Sequence, residues 1–267
     1  MIPYAFHYQR AASLGEAEDM LRKAPEAKLL AGGQTLIAAM KMRLAQPSDL
    51  IDISGLKELS FVRAEGDAIV IGAGATHFEV ATSADVRRLI PALAHLAEAI
   101  GDPAVRHMGT LGGSLANNDP AADYPAAALA LAATIVTRRR AISADDFFTG
   151  MFATALDEGE IITEVSFPAP ERAAYAKFPN PASRYAMVGV FVAKTGSGVR
   201  VAVTGAGPRV FRVREMEAAL AATFAPEAIA GIAVDASDLN SDIHGSAEYR
   251  AHLVTVMARR AVAAAIA

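Results

Sequence analysis

The sequence predicts an α+β protein built from two successive units. Near the N-terminus, Lys28 to Ala31 is followed by Gly32-Gly33 and then by Thr35 to Leu44, an order that predicts a strand, a turn and a helix. Glu160 to Phe167 alternates apolar and polar residues, which predicts a strand, and Pro168-Ala169-Pro170 ends it. The pattern then changes to two strands followed by helices, so we place the boundary between the units at this proline break.

The first unit is predicted to open with an extended arm, a helix and a strand. Three aromatic residues alternate with small or polar ones in residues 1–10: Tyr4, Phe6 and Tyr8. This alternation predicts an edge strand. Ser13 and Glu16 have the spacing of a capping box, so a helix is expected from Ser13 to Pro25. Asp49 to Ile53 alternates as a strand.

The middle of the first unit contains a predicted hairpin and a helical region. Phe61 to Arg63 and Ala68 to Ile71 flank Gly66-Asp67, which predicts two antiparallel strands. Phe78 to Ile100 is predicted to be helical, with Pro91 dividing it into two helices. An alanine-rich helix and a strand are then expected at Ala126–Ala133 and Thr134–Thr137, followed by the basic triplet Arg138 to Arg140, interpreted as a solvated strand end.

The second unit is predicted to contain a hairpin and three helices. The strands Val188–Lys194 and Val199–Thr204 flank a glycine turn. Helices are expected at Glu215–Thr223, at Pro226–Ile232 and at Ser246–Ala265. The last of these has a stripe of larger side chains on one face.

Composition excludes several classes of protein. The chain of 267 residues contains no cysteine, so it cannot itself hold a cysteine-ligated iron–sulfur cluster or a thiolate zinc site. A net charge of −4 argues against a nucleic-acid partner. The first residues lack a basic region followed by an apolar run, and the apolar run at Ala126–Val136 is too short to cross a bilayer. A cytoplasmic protein is therefore expected.

Two glycine motifs carry the functional signal. The first glycine motif is Leu29 to Leu36, and the second is Thr110 to Ser114, at the centre of a glycine-rich loop with an Asn/Asp/Pro tail. Glycines let backbone N–H groups turn toward an anion without a Cβ in the way, so two such motifs could hold a diphosphate between them. One glycine pair alone would indicate only a turn. Gly72-Ala-Gly74 has His77 in place of the third glycine of a dinucleotide fingerprint, and we interpret it as a strand end and turn.

Other catalytic signatures are absent from the sequence. It contains no G-x-S-x-G, no H-E-x-x-H and no G-x-x-x-x-G-K-[ST]. His107 is interpreted as a structural histidine, and Asp102, Asp119 and Asp123 as caps and turn formers that could also form an acid/base set. We therefore predict no catalytic residue and no metal ligand in this chain.

Taken in order, the motifs resemble a known family. The segments that carry this resemblance are AGGQT, a helix ending in MKMRL, then PSDLIDI, GDPAVRHMGTLGGSLANNDPAADYP, EIITEV and KFPNPASRYA. With them, the chain resembles the FAD-binding medium subunits of molybdenum hydroxylases, most closely those of carbon monoxide dehydrogenases. The resemblance spans nearly the whole chain. It departs at Gln34-Thr35, where the family often has His-Ser, and at Leu111, where isoleucine is commoner.

This resemblance implies a fold and a set of FAD-binding residues. It implies an FAD-binding domain of the PCMH or vanillyl-alcohol-oxidase type at 1–168, with subdomains at about 1–55 and 56–168, and a smaller α+β C-terminal domain at 169–267. The residues implied to bind FAD are Leu29, Leu30, Ala31, Gly32, Gly33, Gln34, Thr35, Leu36, Ile100, Thr110, Leu111, Gly112, Gly113, Ser114, Asp123, Ile162, Lys177 and Tyr185.

By the same resemblance, both glycine motifs would wrap the FAD pyrophosphate, mostly through backbone N–H groups. Ile100 and Ile162 would line the pocket, and Asp123 would bind the ribityl or ribose region. Lys177 would lie near the isoalloxazine carbonyls and Tyr185 would cover one flavin face. The alternatives are an exposed strand charge for Lys177 and an ordinary core aromatic for Tyr185.

The implied function is electron transfer within a complex. Electrons would pass from [2Fe-2S] clusters of a small partner subunit to FAD and on to an external acceptor, while a large partner subunit holds the molybdenum cofactor. A dimer of such heterotrimers is expected. Two alternatives stay open: a self-contained FAD-dependent oxidoreductase of the same fold, and a nicotinamide-binding Rossmann protein that uses Gly72 and Gly74.

Overall fold

The computed structural model describes residues 2–267, so Met1 of the predicted arm lies outside the described residues. The strands are β1 (His7–Arg10), β2 (Lys28–Leu30), β3 (Asp49–Asp52), β4 (Val62–Glu65), β5 (Ala68–Gly72), β6 (Thr134–Thr137), β7 (Ala141–Ser143), β8 (Phe148–Gly150), β9 (Ala153–Thr154), β10 (Ile162–Pro168), β11 (Arg172–Pro179), β12 (Ala186–Thr195), β13 (Gly198–Thr204) and β14 (Phe211–Arg212). The helices are α1 (Leu14–Lys23), α2 (Leu36–Lys41), α3 (His77–Thr82), α4 (Ala84–Leu89), α5 (Pro91–Glu98), α6 (Pro103–Arg106), α7 (Leu111–Asn117), α8 (Tyr124–Ala130), α9 (Ala144–Phe147), α10 (Arg214–Ala222) and α11 (Ala247–Ile266), with 3-10 turns at Lys57–Leu59 and Pro226–Ile229.

The N-terminal sheet is small and parallel. Its strand order is β1-β3-β2, so the predicted arm does form an edge strand over His7–Arg10. Helix α1 starts as predicted, because the Ser13 side chain accepts a hydrogen bond from the Glu16 N–H. The predicted strand, turn and helix around the first glycine motif is also confirmed, although α2 ends at Lys41.

The second sheet is antiparallel and supplies most of the core of the first unit. Its order is β4-β5-β10-β6-β7, and the predicted β4–β5 hairpin is confirmed. Apolar side chains of three of its strands are fully buried: Ile69, Ile71, Ile135, Val165 and Phe167. Gly72 at the end of β5 and Ile162 at the start of β10 therefore belong to one rigid sheet. This sheet fixes the position of the loops that leave these two strand ends.

The helical region after β5 differs from the prediction. Three helices, α3 to α5, replace the two expected, because the Ser83 side chain accepts a hydrogen bond from the Val86 N–H and starts a new helix there. Pro91 begins the third helix, where its missing N–H is tolerated. Asp102 accepts a hydrogen bond from the Val105 N–H, so its interpretation as a helix cap is confirmed.

The C-terminal sheet has the strand order β11-β12-β13-β14. It lies between the core of the first unit and helices α10 and α11. Alternate residues of β12 face opposite ways, as strand geometry requires. Val188, Val190 and Val192 pack against α10 and α11, whereas Phe191 and Ala193 join the core of the first unit. The predicted β12–β13 hairpin is confirmed, but the alanine-rich strand β11 was not predicted. In residues 2–267 no helix has both the length and the apolar character needed to cross a membrane.

Candidate functional site

A cavity of about 930 Å³ lies between the N-terminal sheet, the edge of the second sheet and the loop joining β11 to β12. We call it the main cavity. Both glycine motifs line it, so two segments far apart in sequence face one space. Its lining includes every residue implied to bind FAD except Leu111 and Lys177. Its volume lies within the range usual for sites that enclose an organic ligand, about 300–1,000 Å³.

The first glycine motif has the geometry of an anion site. Gly33 has a φ of +71°, a conformation that glycine adopts at little cost. A Cβ on Gly32 would lie 1.9 Å from the Met108 carbonyl oxygen, so only glycine allows this loop to pack on the backbone before the second motif. Within residues 2–267, no acceptor receives the backbone N–H groups of Gly32, Gly33, Gln34 or Thr35. These donors are therefore available to an anion in the main cavity.

The second glycine motif differs from the prediction. Gly112 and Gly113 lie in the first turn of α7, for which Thr110 is the N-cap. The backbone N–H groups of residues 111–114 are all engaged inside the chain, and their acceptors are Ala75 O at 3.0 Å, Ala73 O at 2.8 Å, Thr110 Oγ1 at 3.1 Å and Thr110 O at 3.0 Å. The expectation of a loop with free amides is therefore wrong here. The hydroxyl groups of Thr110 and Ser114 are the polar groups that this motif adds to the cavity.

Close packing explains the sequence of this second motif. A Cβ on Gly112 would lie 2.6 Å from the Ala73 Cβ and 2.8 Å from the Ala73 carbonyl oxygen, so α7 can approach β5 this closely only with glycine. Leu111 is fully buried in the core, and its side chain does not reach the main cavity. Gly113 is exposed, and the nearest atom to a Cβ there would be Thr110 Oγ1 at 2.9 Å.

Sequence reasoning missed the buried histidine behind this motif. His77 lines the main cavity and is 5% exposed, and its Nδ1 has no hydrogen-bond partner within residues 2–267. Burial, and then the positive charge of Arg106, lowers the pKa of His77 to about 4, so the ring is neutral at pH 7. Its backbone N–H donates to Gly109 O. The signal that could have found it is the capping box formed by Thr76 and Glu79, which fixes the start of α3.

Asp123 and Lys177 form a buried ion pair. The Lys177 Nζ lies 3.0 Å from the Asp123 Oδ2 and 3.1 Å from the Ala99 carbonyl oxygen, while the Tyr175 hydroxyl donates to the Asp123 Oδ1. Burial raises the pKa of Asp123, and the positive charge of Lys177 opposes this effect. The Lys177 side chain is only 8% exposed, so the alternative of an exposed strand charge is wrong. The pair joins β11 to the start of α8.

Tyr185 lies at the edge of the main cavity. It is 46% exposed, so the alternative of an ordinary core aromatic is wrong. Burial of the ring, and then the negative charges of Asp119 and Asp123, raise the pKa of Tyr185, while a hydrogen bond with the Thr35 side chain lowers it. Tyr185 therefore connects the first glycine motif with the acidic tail of the second. Its carbonyl oxygen accepts a hydrogen bond from the Asn180 N–H, which holds the loop in place.

A second ion pair holds the opposite wall. The Glu160 side chain is fully buried, and its Oε2 lies 2.8 Å from the Arg140 Nη2. The hydrogen bonds from Arg140 are the main cause that lowers the pKa of Glu160 to about 2. Arg140 is thus not merely part of a solvated strand end, as the basic triplet was interpreted. It fixes the segment that carries Ile161 and Ile162 into the main cavity.

Comparison with known proteins identifies the family. A family model described as the FAD binding domain in molybdopterin dehydrogenase matches residues 4–170. The chain belongs to this family. A second model, described as the CO dehydrogenase flavoprotein C-terminal domain, matches residues 173–265. The predicted α+β fold class, the family and the FAD cofactor are therefore confirmed, and the chain is the FAD-binding component of an oxidoreductase.

Individual relatives match over nearly the whole chain. The chain is 37% identical to the carbon monoxide dehydrogenase medium chain of Hydrogenophaga pseudoflava, over 99% of this chain and 98% of that protein. It is 38% identical to the nicotine 6-hydroxylase medium subunit of Paenarthrobacter nicotinovorans, over 97% and 96%. Among solved structures, the carbon monoxide dehydrogenase from Hydrogenophaga pseudoflava that lacks the Mo-pyranopterin moiety of the molybdenum cofactor matches with a TM-score of 0.88 and 35% identity, covering 100% of this chain and 99% of that one.

The nicotinamide-binding alternative is excluded. A dinucleotide fingerprint needs a glycine turn between a strand and a helix in a parallel βαβ unit. Strand β5, which ends at Gly72, instead pairs with both of its neighbours in antiparallel fashion. The interpretation of Gly72 to Gly74 as a strand end and turn is confirmed, since α3 starts only at His77.

Proposed function

We propose that this chain is the FAD-binding, electron-transferring medium subunit of a molybdenum hydroxylase-type complex. The observation that carries the proposal is the main cavity, where amides of the first glycine motif that have no acceptor within residues 2–267 face the second motif across one space. The family match to FAD-binding domains and the relatives named as medium chains support it. When bound, FAD supplies the ability to accept electrons and pass them on.

The chain's residues divide the work of holding FAD. The N–H groups from Gly32 to Thr35 bind the diphosphate, and the hydroxyls of Thr110 and Ser114 face it from the other motif. Leu29 to Ala31, Leu36, Ile100 and Ile162 give the cavity apolar walls. Gly33 and Gly113 line the cavity without adding a side chain to it.

The acidic and aromatic residues hold the flavin end. Tyr185 covers one face of the flavin from the cavity edge. The buried Asp123 carboxylate lies close enough to shape this end of the cavity, and Lys177 behind it supplies positive charge near the isoalloxazine carbonyls. The two side chains hold each other, while Tyr175 also holds Asp123 and the Ala99 carbonyl oxygen also holds Lys177, so their charges are oriented before FAD binds.

Partners follow from what this chain lacks. It has no cysteine, so the [2Fe-2S] clusters that deliver electrons lie on a small partner subunit. The molybdenum cofactor lies on a large partner subunit, and the complex is a cytoplasmic dimer of heterotrimers. The oxidised substrate meets the large subunit, in line with relatives that are named for carbon monoxide and for nicotine. An external acceptor would finally receive these electrons.

Gly33→Ala tests the diphosphate site. Gly66 is a matched control, because it has a similar φ of +61° in the β4–β5 hairpin and a Cβ there would meet nothing within 4 Å. Both substitutions carry similar backbone strain, but only Gly33 lines the main cavity. A Cβ at Gly33 would also lie 2.7 Å from the Cδ1 atom of Ile37, which belongs to a flexible side chain. We expect Gly33→Ala to weaken FAD binding by about tenfold or more, whereas Gly66→Ala keeps wild-type FAD content. Flavin absorbance of the purified complexes measures this, and equal FAD content in both variants would contradict the site.

Co-purification tests the electron-transfer role. We expect the tagged chain to bring down two partners, one with iron–sulfur absorbance and one with molybdenum, as measured by mass identification and metal analysis. A flavin-loaded chain that purifies alone and oxidises a substrate by itself would instead support the self-contained oxidoreductase.

A further inference from the structure

A second cavity, of about 660 Å³, lies beside the main one between α5, β11 and α11. We call it the side cavity. Apart from Tyr175, its charged or titratable lining residues are nearly all basic: His95, Glu98, Arg106, Lys177, Arg184 and Arg260. Positive side chains from four separate elements thus surround one space that contains a single carboxylate. The whole chain, by contrast, has a net charge of −4.

The hydrogen-bonding capacity of these cations is not used up within the chain. Among residues 2–267, no acceptor contacts the guanidinium of Arg184 or that of Arg260. Lys177 has three ammonium hydrogens, of which two are donated to Asp123 and to the Ala99 carbonyl oxygen. Lys177 lines the side cavity and its side chain is 8% exposed, so a ligand in this cavity could accept the third hydrogen. A buried donor of this kind needs a partner.

The fold keeps these groups in position. Arg106 is held by hydrogen bonds from its Nη1 to the carbonyl oxygens of Ile100 and Gly101. Lys177 is fixed by its ion pair with Asp123. Arg184 lies in the β11–β12 loop, where its own backbone has a φ of +61°. Gly101 and Arg184 line both cavities, so the side cavity shares a wall with the main one.

We propose that the side cavity binds an organic anion that carries a diphosphate group. The exposed guanidinium groups of Arg184 and Arg260 and the fixed ammonium of Lys177 match the several oxygens of a diphosphate, since arginine forms paired hydrogen bonds with phosphate oxygens. Met257, Pro179 and Pro181 give the same space apolar surface for the rest of the ligand. This site is separate from the FAD diphosphate site at the first glycine motif, and its existence does not depend on the proposed function.

Calorimetric titration of the FAD-loaded complex with inorganic pyrophosphate tests the site. Arg260→Gln removes one guanidinium from the side cavity. Arg259→Gln is the matched control, because Arg259 is the exposed neighbour on α11 and does not line the cavity. We expect one pyrophosphate bound per chain, affinity lowered by about tenfold in Arg260→Gln, and wild-type affinity in Arg259→Gln. Inorganic phosphate should bind more weakly than pyrophosphate, because it reaches fewer of the cations.

The outcomes separate this inference from the proposed function. Absence of pyrophosphate binding, or equal affinity in the two variants, would overturn the site while flavin absorbance still reports FAD binding. Binding to the isolated chain but not to the complex would also overturn it, since a partner side chain would then occupy the cavity. Loss of FAD with pyrophosphate binding intact would contradict only the proposed function.

Discussion

The two glycine pairs of this chain look alike in sequence but differ in what their backbones do. At Gly32-Gly33 the N–H groups have no acceptor within the described residues, whereas at Gly112-Gly113 both are engaged inside the chain. The first pair lies in the irregular loop between β2 and α2, and the second lies in the first turn of a helix. A glycine pair therefore indicates a place where the chain needs no side chain, and does not by itself indicate free amides.

The two glycine pairs share one packing pattern when they are compared residue by residue. The first glycine of each pair packs on backbone: Gly32 on Met108 and Gly112 on Ala73. All four glycines line the main cavity, but the second glycine of each pair, Gly33 or Gly113, would place a Cβ near side-chain atoms only. The comparison thus assigns close packing on backbone to the first position of each pair, and it can be tested one glycine at a time.

Gly112→Val should have the largest effect. A Cβ there meets Ala73 backbone that cannot move, and overpacking of this kind costs roughly 3 kcal/mol. Valine has a slightly better helix propensity than glycine, so propensity adds no cost. We expect the free energy of unfolding to fall by about the overpacking cost in urea titrations. Gly196→Val is the control, because a Cβ at Gly196 would meet nothing within 4 Å. A Gly112→Val protein as stable as the control would show that close packing does not explain this glycine.

Acid should destabilise the protein through His77, the buried histidine behind the second glycine motif. The folded-state pKa of His77 is lowered from 6.5 to about 4. As the pH falls, His77 is therefore protonated in the unfolded chain before it is protonated in the folded chain. The stability that neutral His77 contributes is fully present above pH 6.5 and is lost as the pH falls toward 4, an effect of roughly 3 kcal/mol. Urea unfolding between these pH values measures it. His77→Gln should remove this part of the slope, and an unchanged slope would mean that other groups are responsible.

Sequence predicted the elements that depend on neighbouring residues. The β4–β5 and β12–β13 hairpins and the Ser13 cap were found because their turn and capping residues lie beside them. The restart of a helix at Ser83 was missed, since a serine inside an apolar region gives a weak signal. Strand β11 was missed because an alanine-rich segment lacks the β-branched residues typical of strands.

The site was predictable in its members but not in its contacts. Residues of both glycine motifs do line one cavity, as the spacing of the motifs suggested. The amides of the second motif are engaged by Ala73 and Ala75, which lie more than 30 residues earlier in the chain. Likewise, Lys177 meets Asp123 across 54 positions. Long-range pairs of this kind depend on how the sheets pack, and no local pattern encodes them.

Gly113→Ala should have the smallest effect on stability and yet a clear effect on the ligand. Alanine is favoured over glycine within a helix by about 1 kcal/mol. The one close atom, Thr110 Oγ1, caps the Gly113 N–H, and moving it away costs about 1 kcal/mol. We therefore expect FAD-free chains to be about as stable as wild type. The new methyl group would enter the main cavity, so FAD affinity should fall by about tenfold in a fluorescence titration. Unchanged affinity would mean that both glycines of the second pair serve packing, and that the first motif alone holds the diphosphate.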